Sequence, residues 1–226
     1  MNSLLMSILD GDFHETWRPF FEAQRPGLER IANFLEIERL GGKQHLPAQE
    51  FVLRAFEMSV TEVRVLILGQ DPYPTPGHAI GFSFATNPHV QPLPASLRNI
   101  FTEVASDIGT ITRVDATLKN WREQGVFLLN RVLTVEVGSP GTHRKKGWEE
   151  FSQSAVEFLI SQNEHFVALL WGKDAQSLAH LFDPLRVLHA AHPSPLSAYR
   201  GFLGSRTFSK CNELLQQNGC PPVDWR

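Results

Sequence analysis

The sequence predicts an α/β domain in three layers, with a central four-stranded parallel sheet between helices. Three observations predict it. Four short apolar runs, "VRVLILG" (63–69), "VFLLN" (126–130), "FVALLWG" (166–172) and "RVLHAAH" (186–192), lack polar alternation, as parallel strands covered on both faces do. Helical periods lie between and around these runs. The 226 residues contain no repeat, low-complexity tract or linker, so residues 1–226 read as one domain.

Each element has its own signal. Residues 1–46 read as a helical N-terminal part through Trp17, Phe20, Phe21, Leu28, Ile31 and Phe34, with Pro19, Pro26 and Pro47 expected to interrupt it. The first apolar run follows. After it, Pro94 and Ser96 stand ahead of Ile100 and Val104, an apolar pair at helical spacing. The second run leads to Trp148, Phe151, Ala155, Phe158 and Leu159, which recur at three- and four-residue steps. The third and fourth runs precede a last stripe of Phe208, Cys211, Leu214 and Leu215, closed by Gly219.

Composition excludes several classes. The chain is 42% apolar and 20% charged, which is ordinary globular usage. No apolar run approaches the roughly 20 residues of a membrane-spanning helix. The opening "MNSLLMSIL" has neither a preceding basic residue nor a small-residue cleavage pattern, so no signal peptide is read there. Cys211 and Cys220, the two cysteines, lack metal-ligand spacing and suit a reducing cytoplasm. No metal site and no cofactor are expected. A net charge of −3 means that any grip on nucleic acid has to come from local features.

What ends each run is the informative regularity. The runs empty into Gln70-Asp71-Pro72, Asn130, Gly172 and His192-Pro193. In an open parallel sheet the carboxyl ends of the strands form the ligand crevice, so an acid, an amide and an imidazole converge there. Each residue also has an ordinary explanation. Asp before Pro is a common turn or cap device, and Asn130 serves equally as a core amide. A lone His192 more often bonds backbone, Tyr73 and Phe84 more often fill a core, and a run such as Arg144-Lys145-Lys146 is commonly a solvated face. "HAAH" (189–192) is a weak metal pair, because residues three apart on a strand point to opposite faces. The joint pattern outweighs these readings. Stiff Pro-Ser segments, "QPLPASLRNI" (91–100) and "HPSPLSAYRGFLGS" (192–205), present N–H and hydroxyl groups to phosphates without much net charge.

"GQDPYP", "LLNRVLTV", "LLWG" and "HPSPLSAYRGF", in this order and at these separations, resemble the family 1 uracil-DNA glycosylases over residues 47–226. The resemblance implies extrusion of deoxyuridine from DNA and hydrolysis of the bond between uracil and deoxyribose, the first step of base excision repair. It implies that Asp71 stabilises an oxocarbenium-like transition state and orients water, and that a neutral His192 donates to uracil O2. Asn130 is implied to read uracil O4 and N3–H, Phe84 to stack on the base, Tyr73 to exclude the thymine methyl and Gln70 to shape the pocket. Ser96, Ser194 and Ser197 fall where the family grips phosphates, and Leu196 where it fills the vacated stack. Single- and double-stranded DNA containing uracil are the implied partners, with a phage-type uracil glycosylase inhibitor protein as a further one. A cytoplasmic monomer is expected.

Two positions depart from the common family pattern. Pro74-Thr75 replaces the His that often follows GQDPY, with Ile80 where a second His is frequent, and Lys173 replaces the Ser after LLWG. Lys173 then substitutes a point charge for a hydrogen bond to DNA. Two rival readings fit less well. A nucleotide-binding domain requires a Gly-rich fingerprint that "GQDPYP" does not provide, and a non-catalytic DNA-binding relative would be expected to lack Asp71, Asn130 or His192.

Overall fold

The computed structural model describes residues 13–111 and 114–226; the "MNSLLMSIL" stretch lies outside the described residues. Helix α1 (Arg18–Leu40) comes first. It runs through Pro26 rather than being interrupted there. Pro26 lies on an exposed turn, where the carbonyl freed by its missing N–H faces water, while Phe20, Phe21, Leu28, Ile31 and Leu35 hold the opposite face in the core. Pro19 sits in the first turn, where a missing N–H costs little.

Strand β1 (His45–Leu46) precedes β2 (Val65–Gly69), α2 (Ala95–Asp107), α3 (Lys119–Arg122) and β3 (Val126–Asn130). Then come β4 (Val135–Glu136), α4 (Trp148–Gln162), β5 (Val167–Trp171), α5 (Lys173–Gln176), β6 (Val187–Ala190) and α6 (Thr207–Gln217). The four longer strands form a parallel sheet in the order β3-β2-β5-β6, as the apolar runs predict. Strands β2, β3 and β5 are buried throughout. The fourth run differs from expectation: β6 is an edge strand, with Val187 and Leu188 half-buried and His189 exposed. The antiparallel pair β1-β4 was not foreseen.

Register sorts the side chains to two faces. Leu66, Phe127 and Ala168 lie level on one, with the aromatic cluster of Trp17, Phe20, Phe56 and Phe151 around α1 and α4. Ile67, Leu128, Leu169 and Trp171 lie on the other, where Trp171 meets Phe202 and Phe208 beneath α6. Each fully buried Leu, Ile or Phe side chain among these contributes about 1.5–3 kcal/mol. From β2 the chain first adds β3 on one side and later β5 on the other. The sheet order therefore reverses beside β2, and the crevice opens at its carboxyl end.

Candidate active site

A cleft of about 490 Å³ opens at that end, a size suited to a small organic ligand. Asp71, Gln70, Tyr73, Phe84, Asn130 and His192 all line it, as do Ser96, Ser194, Leu196 and Ser197. Lys173 is not among the lining residues; it is exposed at the start of α5.

Asp71 is fixed from two sides. The N–H of Gly141 donates to its Oδ2 at 2.7 Å, and the Gln70 amide donates to Oδ1 at 3.1 Å. The β2–β3 ladder continues past both strands, with Arg131 N–H on Gly69 O and Val132 N–H on Gln70 O, so the backbone leading into Asp71 is held as well. Gly138 N–H donates to Pro74 O at 2.8 Å and ties the proline-rich loop to the segment after β4. Burial raises the Asp71 carboxyl above the usual range; the Gly141 N–H, the Arg144 charge and Gln70 oppose that rise, while the Asp174 charge adds to it.

His192 accepts from the Ser194 N–H at Nδ1, 3.0 Å away. In the neutral ring the proton therefore sits on Nε2. Burial lowers the imidazole's pKa, against the opposing charge of Asp174, and so favours that neutral form. The Ser194 and Ser197 hydroxyls bond one another at 2.9 Å, and Ser197 donates to His192 O at 2.7 Å. These serines brace the loop that also carries Leu196.

Asn130 ends β3 with 7% exposure and faces the cleft. Among the described residues its side-chain amide makes no hydrogen bond and is open to the cleft. Phe84 adopts φ +63°, a left-handed conformation that is uncommon for a bulky residue. The Tyr73 hydroxyl donates to Phe84 O at 2.8 Å, and the Phe84 ring lies 5.7 Å from that of His192 and 5.4 Å from Trp171. An acid, a neutral imidazole donor, a free amide and an aromatic face thus share one cleft.

A family model for the uracil DNA glycosylase superfamily matches residues 56–216. The chain belongs to that superfamily. It is 53% identical over 197 residues to a uracil-DNA glycosylase of Mycolicibacterium vanbaalenii, covering 87% of this chain and 88% of that one. It is 48% identical over 226 residues to one of Thermobifida fusca, covering 98% and 99%. Identity of this order over nearly whole chains fits the family 1 resemblance carried by the four motifs. The fold agrees with that of a mimivirus uracil-DNA glycosylase, at TM-score 0.87 and 24% identity over 94% of this chain and 87% of that one. A variant mimivirus UNG in complex with UGI superposes equally well, at TM-score 0.87 and 25% identity over 94% and 88%.

Sequence reasoning missed several residues around the cleft. Gly141, which orients Asp71, and its neighbour Pro140 lie in a "SPG" turn whose composition signals a turn but not its destination. Tyr199 is 83% exposed three residues beyond Leu196, itself 85% exposed. Arg144 is one member of the basic run, and it pairs with Asp174 beside Asp71 rather than only facing solvent.

Proposed function

We propose that this protein removes uracil from DNA by hydrolysing the N-glycosidic bond of an extruded deoxyuridine, leaving free uracil and an abasic site for base excision repair. The Asn130 amide, which faces the cleft beside Phe84 with no hydrogen bond among the described residues, carries this reading. Its oxygen accepts from N3–H of uracil while its NH2 donates to O4, a pattern that the amino group of cytosine cannot satisfy. Phe84 stacks on the base. Tyr73, held by its bond to Phe84 O, occupies the space that a thymine methyl would need.

The C1′–N1 bond breaks heterolytically, and its electron pair leaves with the base as a uracil anion. His192 Nε2–H donates to O2 of that anion, and a neutral imidazole does so without adding a buried cation. The sugar's developing positive charge faces Asp71, whose carboxylate stabilises it and orients the water that adds to C1′. The water's proton passes to the carboxylate or to solvent. Ser96, Ser194 and Ser197 contact phosphates flanking the lesion, Lys173 adds a point charge at the edge of the bound strand, and Leu196 enters the space vacated by the base.

The whole chain is read as one domain acting as a monomer on single- and double-stranded DNA, since every group invoked comes from a single chain. The UGI complex of the mimivirus protein supports an inhibitor of that kind as a partner. No helix among the described residues is long and apolar enough to cross a membrane, and a cytoplasmic location is proposed on the cysteine content. Release of free uracil from an oligonucleotide with one deoxyuridine tests the reading. No release from either strand form by folded protein overturns it.

A further inference from the structure

We propose that His143, buried against the N-terminal helix, is a positioning residue for the catalytic acid, and that Glu38 of α1 acts through it. His143 lies outside the cleft and belongs to none of the motif positions assigned above. Its side chain is 1% exposed, an unusual place for an imidazole unless its nitrogens are engaged. Both have a close polar partner. Trp148 Nε1–H donates to Thr134 Oγ1 at 2.7 Å, which leaves the threonine's own proton for His143 Nδ1 at 2.8 Å. Nδ1 is thereby an acceptor, and Nε2 lies 2.9 Å from Glu38 Oε2, a close polar contact whose angle falls outside hydrogen-bond geometry. Glu38 is held in turn by Lys43 at 2.8 Å, which also reaches Glu136 at 3.0 Å, and the Phe34 ring meets the imidazole edge-on at 5.2 Å.

This clamp sits two residues from Gly141, whose N–H bonds Asp71. The loop between Glu136 and His143 is otherwise tied mainly at its first half: Val137 N–H donates to Gln44 O, Gly138 N–H to Pro74 O and Ser139 N–H to Glu136 O, while Thr142 accepts from Glu136 N–H and donates to Ser139 O. Gly141 itself has φ +77°, a conformation with little intrinsic preference for the position it must keep. One end of the loop follows β4; the other is fixed where His143 is seated between Thr134 and Glu38. The route from α1 to the acid is therefore short: Glu38, His143, two peptide units, the Gly141 N–H, then Asp71 Oδ2. It gives the N-terminal helix, which contributes no side chain to the cleft, a part in catalysis.

Removing the clamp frees the loop and weakens the Gly141 bond, the largest of the influences that hold the Asp71 carboxyl down against burial. The other groups facing Asp71 are Gln70, Arg144 and Asp174. Those facing His143 are Glu38, His45 and Glu136, on α1, β1 and β4. None of these is altered by His143→Asn, so the Asp71 titration reports the loop.

The inference rests on the proposed role of Asp71, so the test has a readout independent of uracil release. In the free protein, 13C NMR of the Asp71 carboxyl across pH is compared for wild type, His143→Asn and Glu38→Ala, the last keeping the fold if the first does not. The titration midpoint is expected to rise in each variant. kcat for uracil release is expected to fall about tenfold, the effect of losing one hydrogen bond to a charged group, with KM little changed. In an Asp71→Asn background the same changes should cost no further rate. An unchanged Asp71 titration, or an equal rate loss without the acid, overturns the inference and leaves His143 a purely structural residue. Wild type that titrates as expected yet releases no uracil overturns the functional proposal instead.

Discussion

Gly69→Ala offers a test of base recognition that substitutes none of the proposed recognition and catalytic residues. Gly69 ends β2 level with Asn130 on β3. A Cβ there would lie 2.4 Å from Asn130 Oδ1, 2.8 Å from Ser83 Cβ and 3.3 Å from Phe84 Cε2. The first contact falls about 1 Å inside ordinary van der Waals distance, and Asn130 has nowhere to retreat except into the cleft. Gly69 is not among the glycines with positive φ, so the backbone accepts alanine and the effect is one of packing. Overpacking of this kind costs about 1–3 kcal/mol of stability, or roughly 2–4 °C in Tm per kcal/mol at this chain length. A displacement of ~1 Å in a positioning group costs on the order of a hundredfold in rate. Single-turnover uracil release from a one-uracil oligonucleotide, with Tm by circular dichroism, reads both quantities. A variant whose Tm falls by this amount while kcat/KM stays within about twofold of wild type would show that Asn130 does not read the base.

The remaining expectations follow from the same cleft. Asp71→Asn and His192→Ala should each remove about 3–4 kcal/mol of transition-state stabilisation with Tm little changed, and near-wild-type kcat in either variant refutes that residue's role. In the proposed mechanism the working forms are ionised Asp71, whose pKa is raised, and neutral His192, whose pKa is lowered, so both protonations should remove activity as pH falls. kcat/KM across roughly pH 4–9 should rise to a plateau with no basic limb from either group, and a basic limb abolished by His192→Ala would show that the imidazolium is the active form. Tyr73→Ala should admit thymine, whereas Tyr73→Phe should still exclude it and lose rate through the missing bond to Phe84 O; thymine release by the phenylalanine variant would assign exclusion to the hydroxyl rather than to ring volume. Leu196→Ala should slow excision from duplex DNA considerably more than from single strands, with Tm unchanged because the side chain is 85% exposed, and equal losses on both substrates remove the wedge role.

The parallel sheet was legible because three of its strands are buried on both faces, which writes unbroken apolar runs into the chain. "RVLHAAH" was legible as a strand but not as an edge: His189 is exposed, and a four-residue strand carries too few positions to separate one covered face from two. Pro26 misled for a physical reason. A proline breaks a helix through one hydrogen bond and one clash, and on a solvent-facing turn of a helix anchored by six buried residues the fold absorbs both. The two-residue strands β1 and β4 are too short to carry a period at all. Within the site, residues at strand ends were readable because parallel topology brings those ends together. Gly141 was not, since nothing in "SPG" says that the turn closes on an acid 70 positions away. Tyr199 was hidden among aromatics that are mostly core.

One arrangement occurs twice at the strand ends and explains why those runs terminate in glycine. Neighbouring strands lie roughly 4.8 Å apart, so a functional side chain at the end of one strand can reach the shared cleft only across the end of its neighbour. Asn130 at the end of β3 lies over Gly69 at the end of β2. His192 beyond β6 lies over Gly172 beyond β5, where a Cβ would come within 2.8 Å of the imidazole's own Cβ. Gly172 also has φ +89°, so the turn into α5 and the seating of His192 make the same demand on one residue. Between the two, Phe84 keeps a left-handed backbone because the Tyr73 hydroxyl and the Ser83 N–H bond to Leu128 O hold it from either side. Amide, imidazole and aromatic ring are thus each set by backbone geometry rather than by flexible reach. A site proposed to stabilise charge only as a bond breaks would depend on that, because dipoles already in position need no reorganisation at that moment.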